Sequence, residues 1–230
     1  MRTILVQFAL LALLLGVPLL GYAKAKTYGS QLCQEAGYEC YKVMKGDTWA
    51  KLYPDQDVRE VVKRINRKNI ALRPGMIIAI PTGEIGNHME HSPFPAEMDL
   101  YVGQRVILID LSDLAFGAYN ESGTLEHWGP ISPGKQYCPD TRRGCSTPTG
   151  VYSIYSKRGS ECKSTKYPIG KGGAPMPYCM FFKGGYALHG SPTVPGHSDS
   201  HGCVRLFTED AGWLNKEFVE GYQVKVVIRE

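Results

Sequence analysis

Residues 4–20 are almost unbroken apolar sequence, interrupted by Gln7, Gly16 and Pro18. Arg2 precedes the run, and Ala23-Lys24-Ala25 follows it with small residues at the two positions a signal peptidase reads. This pattern predicts an export signal over 1–25, cleaved after Ala25. A retained anchor is the alternative, although the run is slightly short for a span of about 20 residues. No cysteine directly follows the run, which argues against a lipidated N-terminus.

The pattern then becomes amphipathic. Tyr41-Lys42-Val43-Met44 alternates like a short strand, and Gly46-Asp47-Thr48 turns the chain and caps a short helix through Trp49, Leu52 and Tyr53. Asp57, with Glu60 three residues on, predicts the start of a second helix. Its apolar face is Val58, Val61, Val62 and Ile65, at i, i+3, i+4 and i+7. A turn at Leu72-Arg73-Pro74-Gly75 leads into a closing strand over 76–81. The order strand, helix, helix, strand predicts a small α+β unit over 41–81. Residues 26–40, which hold Cys33 and Cys40, read as its disulfide-closed extension. Residues 82–98 carry Gly and Pro and no period, which predicts a flexible linker with His88 and His91 in solvent.

Residues 99–230 read as a mainly β domain. Strands are expected over 105–111, 114–119, 125–131, 150–156, 178–182, 186–189 and 222–228, the first two paired across Ser112-Asp113. One late helix is expected over 209–219, capped by Thr208 and stopped at Gly221. Glu209 and Asp210 suit its N-terminal end, and Ala211, Leu214 and Phe218 share one face.

Charge changes this picture little. The formal +4 falls to +2 without Arg2 and Lys24, too mild to argue for nucleic acid, and no basic run with interleaved aromatics occurs. Cysteine changes it more. Seven cysteines in an exported chain leave an even six if one is a free nucleophile. Spacing suggests the local pairs Cys33–Cys40, Cys138–Cys145 and Cys162–Cys179, one of 15 possible connectivities. No Cys-x-x-Cys pair exists and His88-x-x-His91 lies in a proline-flanked segment, so no metal is expected.

The odd cysteine falls in Ser200-His201-Gly202-Cys203-Val204-Arg205, and His189-Gly190 lies upstream at the end of an apolar run. A thiol with nearby imidazoles is the minimum equipment for thiol nucleophilic catalysis. All six histidines precede Cys203, so a papain-type order, with its histidine far downstream, is excluded. Cys203 is the expected nucleophile and His189 the proton donor and acceptor. A neighbouring imidazolium would raise the thiolate fraction of a thiol whose usual pKa is about 8.5. His201 is expected to orient the pair or stabilise charge, and Ser200 to hold a histidine tautomer. Backbone N–H groups around Gly202 and Cys203 are the candidate oxyanion donors. His197, in a Pro-Gly loop, is set aside. Arg205 suits either a substrate carboxylate or a structural ion pair.

His189, ten intervening residues and the Ser-His-Gly-Cys run resemble the signature of the L,D-transpeptidase (YkuD) catalytic domain. Thr147-Pro148-Thr149-Gly150 resembles the segment entering a core strand of that family, and the stretch from Gly184 to Pro192 looks like its Gram-negative branch. The spacer is shorter than in many members, and Arg205 stands where some subgroups have Asn. The resemblance implies a mainly β fold of mixed β-sheets with one late helix over 99–230, no metal or organic cofactor, and Tyr186, Gly190 and Arg205 as substrate-binding positions. It implies attack on the bond between a diamino acid and a terminal D-residue of a peptidoglycan tetrapeptide. D-alanine leaves, and a stem-peptide amine, a protein lysine or water resolves the thioester. Hydrolysis of the same bond is an alternative, and so is a non-catalytic wall-binding role.

A second resemblance covers 41–81. Tyr41-x-Val43-x-x-Gly46-Asp47-Thr48, Asn66 and Leu72-x-x-Gly75-x-x-Ile78-x-Ile80-Pro81 look like a LysM module. It implies binding to glycan strands containing N-acetylglucosamine, and so a periplasmic or wall location. Oligomeric state is not legible.

Overall fold

The computed structural model describes residues 26–99, 103–167, 173–221 and 223–230. The export signal expected over 1–25 lies outside them, as does Tyr222 at the start of the last expected strand. Among the described residues no helix is long and apolar enough to cross a membrane.

The N-terminal unit runs α1 (Tyr28–Leu32), β1 (Tyr38–Lys42), α2 (Trp49–Leu52), α3 (Gln56–Ile65) and β2 (Ile77–Pro81). β1 and β2 pair antiparallel, with Cys40 opposite Ala79. Strand β1 begins three residues before its expected start because Tyr38 pairs with Pro81. Helix α3 is capped by Asp55 rather than Asp57: Asp55 Oδ1 accepts from the N–H groups of Asp57 and Val58 at 2.9 and 3.0 Å. The side chain two residues earlier reaches the orphan donors, and Asp57 falls inside the first turn.

Two polar residues fix this unit from within. Asp47 Oδ2 accepts from the Met44 N–H and the Tyr41 hydroxyl, both at 2.7 Å, and holds the turn before α2. Asn66 is fully buried and fully used. Its amide donates to Val62 O and Ala79 O and its carbonyl accepts from Ala79 N–H, which joins the end of α3 to β2.

The C-terminal region is a curled, mixed sheet of nine strands. In chain order these are β3 (Arg105–Asp110), β4 (Ala115–Tyr119), β5 (Leu125–Ser132), β8 (Gly150–Ser153), β9 (Ser156–Lys157), β10 (Met180–Lys183), β11 (Tyr186–Gly190), β12 (Val204–Leu206) and β13 (Val224–Arg229). Across the sheet the order is β8-β13-β3-β4-β5-β12-β11-β10-β9, with β13/β3 and β11/β12 parallel. A small hairpin of β6 (Tyr137–Cys138) and β7 (Arg143–Gly144) stands apart. The expected β3–β4 hairpin forms, with Ile107 opposite Ala118.

The late helix differs from expectation. Helix α4 spans Thr208–Trp213 and continues as a π-helical turn over Leu214–Phe218. Its N-cap is Phe207, with no side-chain cap, so Thr208 sits in the first turn. Packing sets the start, because Ala211, Leu214 and Phe218 close over Ile107, Phe116, Leu188 and Val204 in the main core.

Segment 82–98 is not a free tether, and its histidines are not solvated as the sequence suggested. A 3-10 turn at His88–His91 is closed by a capping box between Asn87 and Glu90. The Trp128 indole donates to His88 O at 2.7 Å, Tyr119 Oη donates to Pro95 O at 2.8 Å, and Leu125 N–H donates to Ala96 O at 2.8 Å. Phe94 is buried against the sheet with Trp128 and Leu125. Absence of period did not mean absence of anchors: Met89, Phe94 and Met98 supply them.

The N-terminal unit is docked on the sheet as well. Arg64 makes a two-point ion pair with Asp210 of α4 at 2.8 and 2.7 Å. Asn69 Nδ2 donates to Ser191 O, its Oδ1 accepts from Val194 N–H, and Tyr28 N–H donates to Gly196 O. The buried Arg67 guanidinium lies over the rings of Tyr28 and Trp128 and donates to Asp113 O.

Candidate active site

Parallel pairing of β11 with β12 brings the two sequence motifs together. Leu188 lies opposite Val204 and His189 opposite Arg205, so Cys203 enters β12 beside the strand that ends at His189. Both residues line one cleft of about 750 Å³, with Tyr186, Ser200, His201 and Arg205 also on its wall. Among the described residues Cys203 is the free cysteine, and the other six form the three local disulfides expected.

The loop carrying Cys203 is held by its own backbone. Gly202 has φ +121°, and a Cβ there would stand 2.6 Å from Tyr186 Cε1, so both conformation and space require glycine. The Ser200 hydroxyl accepts from Gly202 N–H at 2.9 Å and donates to Cys203 O. Thr147 Oγ1 donates to Gly202 O at 2.8 Å and accepts from Gly134 N–H at 2.9 Å. The Cys138–Cys145 bridge packs its sulfurs against Ser200 O.

These bonds correct two expectations. Ser200 does not hold a histidine tautomer, because its hydroxyl is committed to the loop. Gly202 N–H is not a free oxyanion donor, because it is already given to Ser200.

His189 is 6% exposed, and its Nδ1 lies 2.9 Å from Gly190 O. A carbonyl only accepts, so the proton sits on Nδ1 and the lone pair on Nε2. Burial pushes the His189 pKa down to about 4, the Gly190 carbonyl opposes that shift, and the Arg205 charge adds to it. Burial also pushes the Cys203 thiol above its ordinary value, against contributions from the Ala187 backbone and Arg205. Both shifts favour the uncharged forms, thiol and neutral imidazole, so no imidazolium at His189 raises the thiolate fraction near neutral pH. Gly190 is itself buried, and its hydrogen would be replaced by a Cβ 3.0 Å from Thr208 Cα. It orients His189 and does not line the cleft with Tyr186 and Arg205.

His201 turns to the other wall. Its Nε2 lies 2.7 Å from Asp140 Oδ2, and its ring stacks on Tyr167 with centroids 4.6 Å apart. The Tyr167 hydroxyl in turn accepts from Arg143. The hydrogen bond from His201 holds the Asp140 carboxyl below its ordinary range. Cys138 Sγ is close to this pair, but it is spent in a disulfide and offers no thiolate to a metal. Arg205 takes the structural option and pairs with Asp199 at 3.0 Å while still lining the cleft. His197 does not line it. Asp140, Arg143 and Tyr167 were missed from sequence. The available signal was their place inside the Cys138–Cys145 and Cys162–Cys179 loops.

Residues 104–228 match the family described as the L,D-transpeptidase catalytic domain, YkuD. An L,D-transpeptidase from Xylanimonas cellulosilytica, solved over its residues 123–326, is similar at 26% identity and a TM-score of 0.50. The likeness covers 57% of this chain and 63% of that one. One from Stackebrandtia nassauensis is 22% identical at a TM-score of 0.46, covering 60% and 61%. L,D-transpeptidase 3 from Mycobacterium tuberculosis, solved with a faropenem-derived adduct, is 23% identical at a TM-score of 0.45, covering 55% and 60%. This chain thus spans less than two thirds of each of these solved chains. No curated protein matches it. The family match covers more than half of the sequence and takes in the His189 and Cys203 motifs, and the chain belongs to the L,D-transpeptidase (YkuD) catalytic-domain family.

Proposed function

We propose that the protein is a cysteine-dependent L,D-transpeptidase acting on peptidoglycan stem peptides. The observation that carries this reading is that the free Cys203 and the buried His189 line one cleft. His189 Nε2 takes the Cys203 proton as Sγ attacks the carbonyl between the diamino acid and the terminal D-residue. The thiolate forms as it is used rather than standing in the resting enzyme. The imidazolium then gives that proton to the departing D-alanine nitrogen, leaving a thioester on Cys203. An incoming amine attacks the thioester, its proton passes to Nε2 and on to the departing Cys203 sulfur, and a 3→3 cross-link or a wall-anchored protein results with the thiol and neutral imidazole restored. Since Gly202 N–H is occupied, the Cys203 N–H is the loop donor assigned to the oxyanion. No cofactor enters the scheme.

The unit at 41–81 is assigned as a LysM-like glycan binder, supported by its strand–helix–helix–strand order and by the work Asp47 and Asn66 do inside it. Three disulfides suit an extracytoplasmic compartment, and with the sequence over 1–25 they support export to the periplasm or wall. The experiment is mass spectrometry of products from a purified tetrapeptide, with and without an acceptor amine. A cross-linked product that needs acceptor supports transfer. Tripeptide alone under both conditions would replace it with hydrolysis.

A further inference from the structure

The cleft is strongly one-signed. Among the described residues its lining includes Arg143, Arg158, Lys163, Lys166 and Arg205, and no carboxylate. The whole chain carries only +4, so this is a local concentration of charge and not a property of the surface at large. Asp199 offsets Arg205. The other four have no carboxylate partner among the described residues: Arg143 meets the Tyr167 hydroxyl, Arg158 lies 5.9 Å over the Phe181 ring, and Lys166 lies 5.6 Å over the Tyr167 ring. All four are exposed to solvent.

Three of the four stand in loops closed by covalent bonds. Arg143 stands in the hairpin closed by Cys138–Cys145, while Lys163 and Lys166 stand in the loop closed by Cys162–Cys179. The two loops meet through the Arg143–Tyr167 bond, and His201 bridges them by bonding Asp140 and stacking on Tyr167. With Arg158 beside them over the Phe181 ring, these cations, without carboxylate partners among the described residues, concentrate positive charge along one cleft.

We propose that this cleft selects acyl donors whose side carboxylates are free, and disfavours stem peptides in which those groups are carboxamides. The proposal rests on the transpeptidase reading and adds to it a charge requirement on the donor. Arg143, Arg158, Lys163 and Lys166 serve as specificity determinants and take no part in bond making. Each exposed charge pair is worth a factor of roughly 1.5 to 5. Two or three acting together give a preference of about tenfold in kcat/KM, weakening as salt screens it.

The test uses the full, disulfide-bonded chain and two synthetic tetrapeptides that differ only in free or amidated side carboxylates. Release of terminal D-alanine is followed at one fixed, saturating concentration of acceptor amine, at low and moderate salt, so that only the donor varies. The expected result is about tenfold higher kcat/KM for the free-acid donor, a ratio that shrinks with salt. In the Lys163→Gln/Lys166→Gln variant, and separately in Arg158→Gln, the ratio should fall severalfold. Equal kcat/KM for the two donors would overturn the proposal while leaving the reaction in place. A preference unmoved by salt and by both variants would overturn it too. Release from neither donor would overturn the transpeptidase reading and the proposal together.

Discussion

Replacing Arg64 with alanine tests whether the N-terminal unit is part of the catalytic body or merely attached to it. Arg64 is 12% exposed and Asp210 is 2% exposed, and two short bonds join them. The partner of Arg64 lies 146 positions away in sequence, on the helix that covers the main core. Removing the guanidinium leaves a carboxylate that is buried and no longer neutralised. Breaking such a pair costs about 3–5 kcal/mol. Here His127 Nε2 stays 2.9 Å from Asp210 Oδ1, so the carboxylate keeps one hydrogen-bond partner and the lower end, about 3 kcal/mol, is expected. For a chain of this size that is a fall of roughly 6–12 °C in Tm. Thermal and urea unfolding of both proteins give the number, and a cycle with Asp210→Asn isolates the pair. The Arg64→Ala loss should shrink to about 1 kcal/mol in the Asp210→Asn background, where no charge is stranded. A loss below about 1 kcal/mol in the wild-type background, with no coupling, would refute the docked arrangement. The unit would then be a tether, as segment 82–98 suggested from sequence.

Other outcomes follow from the site. Thiol titration of the unfolded, unreduced chain should find one reactive group, and peptide mapping should place it at Cys203; additional thiols would contradict the three disulfides. Gly202→Ala should lose activity and about 1–2 kcal/mol of stability, since φ +121° and the Tyr186 ring both oppose a Cβ; full activity would show that the loop is not held as described. The acid limb of kcat/KM should lie near pH 4, because the base is neutral above the lowered His189 pKa; a limb at 6.5 would mean an unburied base. Stability should move with pH in the same sense. The folded state binds fewer protons at His189 and His88 than the unfolded chain does between about pH 6.5 and 4. Their contribution is therefore full above 6.5 and is lost as pH falls toward 4, about 3 kcal/mol for His189. Urea midpoints that stay flat across that window would contradict the burial.

That His189 and Cys203 would share one cleft was legible in the sequence because the signal is local. A histidine at the end of an apolar strand and a cysteine after Ser-His-Gly are short patterns, and the glycine is explained by one backbone angle and one ring. The small α+β unit was equally legible, since α3 shows its apolar face directly. What escaped were contacts between distant segments. Asp210 reads as a helix-terminal acid, yet its partners are Arg64 and His127. Residues 82–98 read as a linker because backbone bonds to Trp128, Tyr119 and Leu125 leave no periodic trace. The lowered pKa of His189 left no trace for a related reason: the burial that disfavours its charged form is a property of the packed sheet. Cysteine spacing gave the disulfides, but not which side chains the closed loops would carry to the cleft.

The most direct test of the central claim is intact-protein mass spectrometry during turnover of a tetrapeptide donor at low acceptor concentration. The account predicts a mass increase equal to the donor minus D-alanine, carried as a hydroxylamine-labile thioester on Cys203 and absent in Cys203→Ala. Turnover with no such adduct under rapid quench, or an adduct on any other residue, would contradict it.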